Sequence, residues 1–439
     1  MIVMKFGGTS VGGANEIRAV ADIVKSNLSR KPVVVVSAVK KVTDRLIELA
    51  NLAKDGNAES KLKEIKNMHY TILEQLMLDK NLLKKEFEEI ESAIKNAHGK
   101  KLDLRAMDLF QSFGERMSSK IVAAQLNALG VKAQAFNSWE LGFVTNADFG
   151  NAEPLGGTFV ALKKSIAKLN VVPVITGFVG KTEIGEITTL GRGGSDYSGA
   201  IVGSAIDAEE IQIWTDVNGI MSTDPKIVPN AITLDEVSFG EASELAYFGA
   251  KVLHPKTILP AVKKNIPVRV LNTFNPKGNG TLILKDVKKN KQIVKAITEK
   301  KNITLINVNS TRMFGAYGFL AKLFEVFDKY KKSVDVIATT EVSVSMTIDK
   351  EDNLESIIKD LEGIAEVEVL RDKAVICVVG EGMRRTPGVA GRTFSVLGKN
   401  NINIEVISQG ASEINITFIV DGKDAEKAIK ILHEEYYGI

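Results

Sequence analysis

Displaced by 70 residues, the last third of this 439-residue chain lies over itself. "GFLAKLFEVFDKYKKSVDVIATTEVSVSMTI" (318–348) aligns with "GVAGRTFSVLGKNNINIEVISQGASEINITF" (388–418). The glycines match, and Phe324 falls on Phe394, Val326 on Val396, Val336 on Val406, Ile337 on Ile407 and Thr347 on Thr417. Such self-similarity admits few folds, because each copy must be a supersecondary unit of its own. Each copy reads as helix, strand, turn, strand. Residues 354–361 and 425–432 add a second helix, and 304–308 and 374–378 a preceding strand, so a small β-α-β-β-α-β unit occurs twice. Catalysis rarely needs duplicating, whereas ligand sensing and subunit pairing often use it.

The first 285 residues follow another rule. Short, unalternated runs rich in valine and isoleucine, at 2–6, 33–37, 131–136, 171–176, 210–214 and 268–271, alternate with helical periods such as Ile17, Val20, Ala21 and Val24. Strands covered on both faces have this composition, and their alternation with helices predicts an α/β domain with a largely parallel sheet. Thr43 is placed to cap a helix running through Ala50, and 58–101 reads as a charged helical insertion. "NPKGNG" (275–280) ends the pattern. The expected organisation is a catalytic domain over 1–285, a solvated connector over 286–292 and a regulatory region over 293–439. Within that region the first copy covers about 303–370; the second covers about 372–439 together with a strand near 293–301.

Charge and cysteine content narrow the function. Fifty-seven basic against 54 acidic residues leave +3, no general attraction to nucleic acid or membrane. The single cysteine, Cys377, excludes an internal disulfide and favours a reducing compartment. No apolar run reaches the roughly 18 residues of a membrane span, and the N-terminus has no signal-peptide core. A soluble, cytoplasmic protein is expected.

Five stretches carry chemistry. In "MKFGGTSVGG" (4–13), Lys5 stands just before the end of the first strand. Gly7 and Gly8 follow, with no Cβ to keep an anion from their amides, and Thr9 and Ser10 come next. The helix starting near Asn15 adds its dipole. This is not a Walker loop, and neither is "GFVGKT" (177–182), which would need glycine where Ile175 stands. Read alone, a phosphate cradle and a tight turn with a surface lysine are equally good. "TTLGRGGSDYSGA" (188–200) sets Arg192, Ser195, Asp196 and Tyr197 among glycines before a small-residue helix. Arg192 offers a fork for a carboxylate. Asp196 stands near a helix start, able to favour the dipole, orient a lysine or hold a metal. In "SFGERMSSK" (112–120), Glu115 reads as a first-turn glutamate. "WTDVNGIMSTDPK" (214–226) places Thr215 and Asp216 at a strand end suited to a ribose or base edge, with Asx turns at Asn218 and Asp224. "FGAKVLHP" (248–255) offers Lys251 as a second phosphate cation, and His254 beside its proline reads as structural. The four histidines show no metal spacing.

In this order, "KFGGTS", "SAVKKVTD", "GERMS", "TLGRGGSDYS", "WTDVNGIMSTDPK" and "FGAKVLHP", followed by a doubled terminal unit, resemble the aspartate kinases of the amino-acid kinase fold. The resemblance covers nearly the whole chain. It implies a mostly parallel catalytic sheet flanked by helices, then two ferredoxin-like ACT-type domains. It implies phosphorylation of the side-chain carboxylate of L-aspartate by ATP with Mg2+, giving 4-phospho-L-aspartate, the first step toward lysine, threonine and methionine. The length implies a monofunctional enzyme without a fused homoserine dehydrogenase.

The resemblance also distributes roles. Lys5 neutralises the transferred phosphoryl group, helped by the amides of Gly7 and Gly8, with Thr9 and Ser10 completing the phosphate-binding loop, and Asp196 positions the lysines. Thr43 and Ser195 hold aspartate, Glu115 receives its ammonium group and Arg192 its α-carboxylate. Thr215, Asp216, Met221, Lys226 and Lys251 bind ATP, although Met221 stands where tyrosine is expected and Lys226 where arginine is. No residues are assigned to a protein-held metal. The first ACT-like copy is similar to lysine-inhibited members, which implies a lysine pocket of Met313, Gly318, Leu320, Ser333, Val334, Asp335, Thr340 and Glu341 at a pairing interface of a homodimer or tetramer. The competing readings are another amino-acid kinase, such as one acting on glutamate or acetylglutamate, and a catalytically silent amino-acid sensor.

Overall fold

The computed structural model describes residues 1–248, 255–285, 287, 292–313 and 317–438. It divides into two compact units that are discontinuous in sequence. The first comprises Met1–Ile220, Thr233–Phe239 and Val252–Asp286; the second comprises Met221–Ile232, Gly240–Lys251 and Val287–Ile439. Residues 221–232 and 240–251, inside the span expected for the catalytic domain, thus fall in the second unit. Most of the expected connector (286 and 288–291) lies outside the described residues.

The first unit opens with β1 (Ile2–Phe6), α1 (Ala14–Ser26), β2 (Pro32–Val36), α2 (Val42–Lys54), α3 (Glu59–Gln75), α4 (Lys84–Ala97) and the long α5 (Leu104–Ala128). There follow β3 (Ala133–Phe136), β4 (Val144–Thr145), α6 (Gly157–Ile166), β5 (Val172–Thr176), β6 (Val179–Thr182), β7 (Ile187–Thr189), α7 (Gly194–Ala205) and β8 (Glu210–Thr215). After β9 (Glu236–Ser238) comes α8 (Phe239–Tyr247), nearly all of which belongs to the second unit; α9 (Pro255–Lys264), β10 (Val268–Asn272) and β11 (Thr281–Leu284) complete the first.

The main sheet has the order β3-β5-β2-β1-β8-β10-β11-β9, parallel except between β10 and β11. Every residue of β1 and β2 is buried, which is why their sequences do not alternate. All six expected strands are present, each within two residues of its expected ends. Because the central strands run parallel, Phe6, Val36, Thr176 and Thr215 end at one edge of the sheet, where α/β proteins of this kind bind ligand. A second sheet, β4-β6-β7, has two to four residues per strand and was not expected.

Two local expectations need correction. Thr43 does not cap α2: Lys41, at φ 64°, is the N-cap, Thr43 lies within the first turn, and the helix runs to Lys54 rather than ending at Ala50. Glu115 is not in a first turn: it stands in the middle of α5 and is buried. The reason is Gly114, which reads as a helix start yet serves packing. A Cβ there would come within 2.6 Å of the Ala38 Cβ, so glycine lets α5 lie against the loop after β2.

The second unit contains β12 (Ala296–Asn309), α10 (Phe319–Lys329), β13 (Ile337–Thr339), β14 (Ser343–Ile348) and α11 (Leu354–Glu362). Its second half holds β15 (Glu366–Val379), α12 (Val389–Lys399), β16 (Val406–Ser408), β17 (Asn415–Asp421) and α13 (Ala425–Tyr437). Its antiparallel sheet has the order β13-β14-β12-β15-β17-β16. The 70-residue displacement survives in detail: α10 and α12 have the same length and offset, and each starts from a glycine at positive φ, Gly318 (77°) and Gly388 (88°). The expected strands near 293–301 and at 304–308 are one strand, β12. Its first half pairs with the second copy and its second half with the first, with irregular register between Lys300 and Leu305. β15 joins the copies in the same way, so the repeats share a sheet while keeping separate apolar cores. Ile227 and Val228 pack into the core of the second copy, and the Ser222 carbonyl accepts from the Ile297 amide at 2.8 Å.

Candidate active site

The loop after β1 has a definite hydrogen-bond ledger. The Gly7 amide donates to the Trp214 carbonyl (3.0 Å), and the Ser10 and Val11 amides donate to the Gly7 carbonyl. The Ser10 hydroxyl, fully buried, is bonded to the Trp214 carbonyl (3.1 Å) and the Thr273 hydroxyl (2.7 Å). Gly7 and Ser10 therefore hold the loop to β8 and to Thr273 just after β10, and the Gly7 amide expected to face an anion already donates to Trp214. The amides of Gly8 and Thr9 have no acceptor among the described residues. Gly8 cannot carry a side chain cheaply, since its Cβ would stand 3.0 Å from the Ala38 carbonyl oxygen.

Lys5 is 7% exposed, on the sheet edge beneath this loop. Its ammonium lies against Gly7, where a Cβ would be 3.6 Å away, and 2.6 Å from Oδ1 of Asp196. Asp196 is in the first turn of α7, whose N-cap is Gly193 at φ 71°, so Asp196 is not itself the cap. Instead it faces the lysine. Further along α7, Gly199 gives the stem of Lys5 its space: a Cβ there would be 3.2 Å from the Lys5 Cβ. The small-residue helix read in the sequence is thus a seat for one lysine.

Glu115 completes the group from α5. Its Oε1 accepts the Ala38 amide at 3.0 Å, and its Oε2 is buried without a partner among the described residues. Burial pushes its pKa up to about 8, opposed by the Ala38 amide and by the positive charge of Lys5. Ser118, one turn on, donates to the Ser37 carbonyl at 2.6 Å and fixes the same face of α5 to the end of β2. Ser195 abuts Gly177 at the end of β5, where a Cβ would be 3.0 Å from the Ser195 Oγ. Lys5, Gly8, Ser195 and Asp196 therefore gather at the carboxyl edge of the sheet, with Glu115 within reach of the Lys5 charge.

Other expected site residues are less closely joined. Thr43 is half-buried in α2, and Arg192 is exposed on the loop before α7. Thr215 ends β8 beside Asn272, its hydroxyl donating to Asp216 at 3.1 Å. Met221 and Lys226 belong to the second unit, where the Lys226 amide closes the expected Asx turn on Asp224 (2.8 Å); Lys251 and His254 lie outside the described residues. Reading by motif missed Gly177, Ser118 and the Ser10–Thr273 contact. A glycine directly after a buried valine-rich strand was the available signal for the first. The others are contacts between distant segments, with no local trace.

In the second unit, Asp335 is the expected effector residue with the most polar contacts described. Its side chain is 6% exposed, paired with Lys300 at 2.5 Å and accepting from the Tyr247 hydroxyl at 2.9 Å. Gly318 and Leu320 open α10, Met313 ends a single 3-10 turn, Ser333 and Val334 precede Asp335, and Thr340 and Glu341 form the exposed turn between β13 and β14. Among the described residues no helix is long and apolar enough to cross a membrane.

Comparison with known proteins agrees with this geometry. The Amino acid kinase family matches residues 1–272 and an ACT domain matches 376–436. The chain is 40% identical to Aspartokinase 1, chloroplastic, of Arabidopsis thaliana over 455 residues, covering 99% of this chain and 80% of the relative. Among solved structures it resembles E. coli aspartokinase III in complex with aspartate and ADP, at TM-score 0.83 and 36% identity over the whole of both chains. It also resembles the same enzyme in complex with lysine and aspartate, at TM-score 0.85 and 37% identity over 100% of this chain and 99% of that one. The chain belongs to the aspartokinase family.

Proposed function

We propose that the chain transfers the γ-phosphoryl group of ATP to the side-chain carboxylate of L-aspartate, giving 4-phospho-L-aspartate, and is feedback-inhibited by L-lysine. It thereby opens the synthesis of the aspartate-derived amino acids. The observation that carries the catalytic reading is Lys5, seated at the carboxyl edge of the sheet beside Asp196 and under the amides of Gly8 and Thr9, which have no acceptor among the described residues.

The chemistry needs no protein nucleophile. Aspartate's side-chain carboxylate is ionised at neutral pH and attacks the γ-phosphorus in line; its oxygen bonds to phosphorus as the bond to the β-phosphate oxygen breaks, releasing ADP. The protein positions two anions and offsets the charge between them. Lys5 and the Gly8 and Thr9 amides meet the transferred phosphoryl group, and Asp196 keeps Lys5 aimed. Glu115 receives the substrate ammonium, Arg192 forks onto its α-carboxylate, and Thr43 and Ser195 hold its remaining polar atoms. Thr215 and Asp216 take the nucleoside. Among the described residues no group of three His, Cys, Asp or Glu side chains is placed to hold a metal. Mg2+, brought with the nucleotide, would supply charge screening of the phosphate oxygens.

Lysine binds the first ACT-like copy through Asp335 and Glu341, with Met313, Gly318, Leu320, Ser333, Val334 and Thr340 around it. It inhibits by binding the inactive arrangement more tightly. The outer strands β13 and β16 expose Ile337 and Ile407 at equivalent positions, which supports pairing of copies into a homodimer or tetramer. The single buried Cys377 suits a reducing cytoplasm.

The test is trapping of the acyl phosphate with hydroxylamine. Hydroxamate should form only with protein, ATP, Mg2+ and L-aspartate together, and should decline as L-lysine is added. Turnover with glutamate or acetylglutamate but not aspartate would contradict the reading.

A further inference from the structure

Asp108 carries three hydrogen bonds and has no counter-ion among the described residues. It lies in α5, two turns before Glu115, and is 1% exposed. Its Oδ2 accepts the amides of Gly150 (2.9 Å) and Thr189 (2.8 Å), and its Oδ1 accepts the Thr189 hydroxyl (2.8 Å). A buried carboxylate without a cation is costly unless such donors satisfy it. Burial raises its pKa while these three donors pull it back.

The donors come from two segments that touch each other. Thr189 ends β7, and its carbonyl accepts the Ala152 amide at 2.8 Å. Gly191, at φ 73°, passes so close to Gly150 that a Cβ would stand 3.0 Å from the Gly150 carbonyl oxygen. Arg192 is the next residue. Its side chain is exposed and makes no ion pair among the described residues, so its place is set by its backbone alone. That backbone is anchored to α5 through Asp108.

We propose that Asp108 is a positioning residue for the amino-acid substrate. By tying Thr189 and Gly150 to α5 it fixes the distance between the Arg192 fork and the Glu115 carboxylate, so that the α-carboxylate and α-ammonium groups are read as a pair. This rests on the roles given above to Arg192 and Glu115.

A double-mutant cycle on the full-length protein tests it. In Asp108→Asn the amide oxygen can keep the two backbone donors while the NH2 turns to the Thr189 hydroxyl, so what is lost is the negative charge that strengthens all three bonds. The KM for aspartate should rise about tenfold, while kcat and the KM for ATP stay within about threefold. Arg192→Ala should raise the aspartate KM by itself. The double variant should then match Arg192→Ala within about twofold, because Asp108 acts through Arg192. Effects that multiply, or an unchanged aspartate KM in Asp108→Asn, overturn the inference. Should that variant fail to fold, Thr189→Val removes only the hydroxyl donor; about a threefold rise in aspartate KM supports the inference and no rise overturns it. An Arg192→Ala enzyme with a normal aspartate KM overturns the assigned role of Arg192, and this inference with it. A raised KM there beside a normal Asp108→Asn enzyme overturns this inference alone.

Discussion

Lys5 and Asp196 stand 2.6 Å apart, Nζ to Oδ1, joining the penultimate residue of β1 to the first turn of α7. Both are largely enclosed, with side chains 9% and 16% exposed, so the charge contact is less screened than a surface pair would be. The pair fixes an ammonium group at the sheet edge before any nucleotide arrives.

Gly199 tests how closely Lys5 is seated. Gly199→Ala gains up to about 1 kcal/mol of helix propensity, yet its methyl group would press on the Lys5 stem at 3.2 Å. The expected outcome is a melting temperature close to the parent's with kcat lowered several-fold. A parent-like kcat would mean that the stem has room to spare.

Glu115 makes substrate binding pH-dependent. Its pKa is pushed up to about 8 by burial, so near neutral pH the empty site holds a proton that the substrate ammonium must displace. The KM for aspartate should fall as pH is raised from about 6.5 to about 8.5, and Glu115→Gln should raise it at least about tenfold and flatten its pH dependence. The stability effect has the opposite direction. A carboxyl group with a raised folded pKa takes up a proton on folding, so stability is lost as pH rises from 4.5 through about 8. Thermal melts should show Glu115→Gln gaining on the parent at the alkaline end of that window. Equal pH slopes for the two proteins would contradict this.

How much of this was legible depends on the range of the interactions. The buried strands were legible because burial on both faces forces unbroken apolar runs, as in β1 and β2, and the duplicated unit because its repeat is written in the residues. β4, β6 and β7 were not, since "VT", "VGKT" and "ITT" are short and polar and become strands only through one another. Glu115 was misplaced because Gly114 marks a helix contact rather than a helix end. Gly7 and Ser10 were given to phosphate because the sequence cannot show that Trp214 and Thr273 already engage them. The fusion of two expected strands into β12 follows from the first and last strands of adjacent copies sharing one sheet, which no local pattern displays.

Lysine inhibition offers a prediction with two arms. Glu341→Ala should relieve inhibition with little loss of basal activity, since Glu341 is exposed on the β13–β14 turn. Lys300 already pairs with Asp335, at 2.5 Å, and with Asp349, at 3.3 Å, so it competes with an incoming ammonium group. Lys300→Met should therefore lower the lysine concentration for half-inhibition several-fold. Steady-state titrations with lysine decide both, and unchanged sensitivity in both variants would move the effector pocket elsewhere.

The most direct measurement is the turnover of Lys5→Ala with saturating aspartate and ATP, alongside calorimetric binding of lysine as a check on folding. Loss of the ammonium that meets the transferred phosphoryl group should lower kcat about 10²- to 10³-fold while lysine still binds. A kcat within threefold of the parent's would show that the phosphoryl group is stabilised by something other than Lys5.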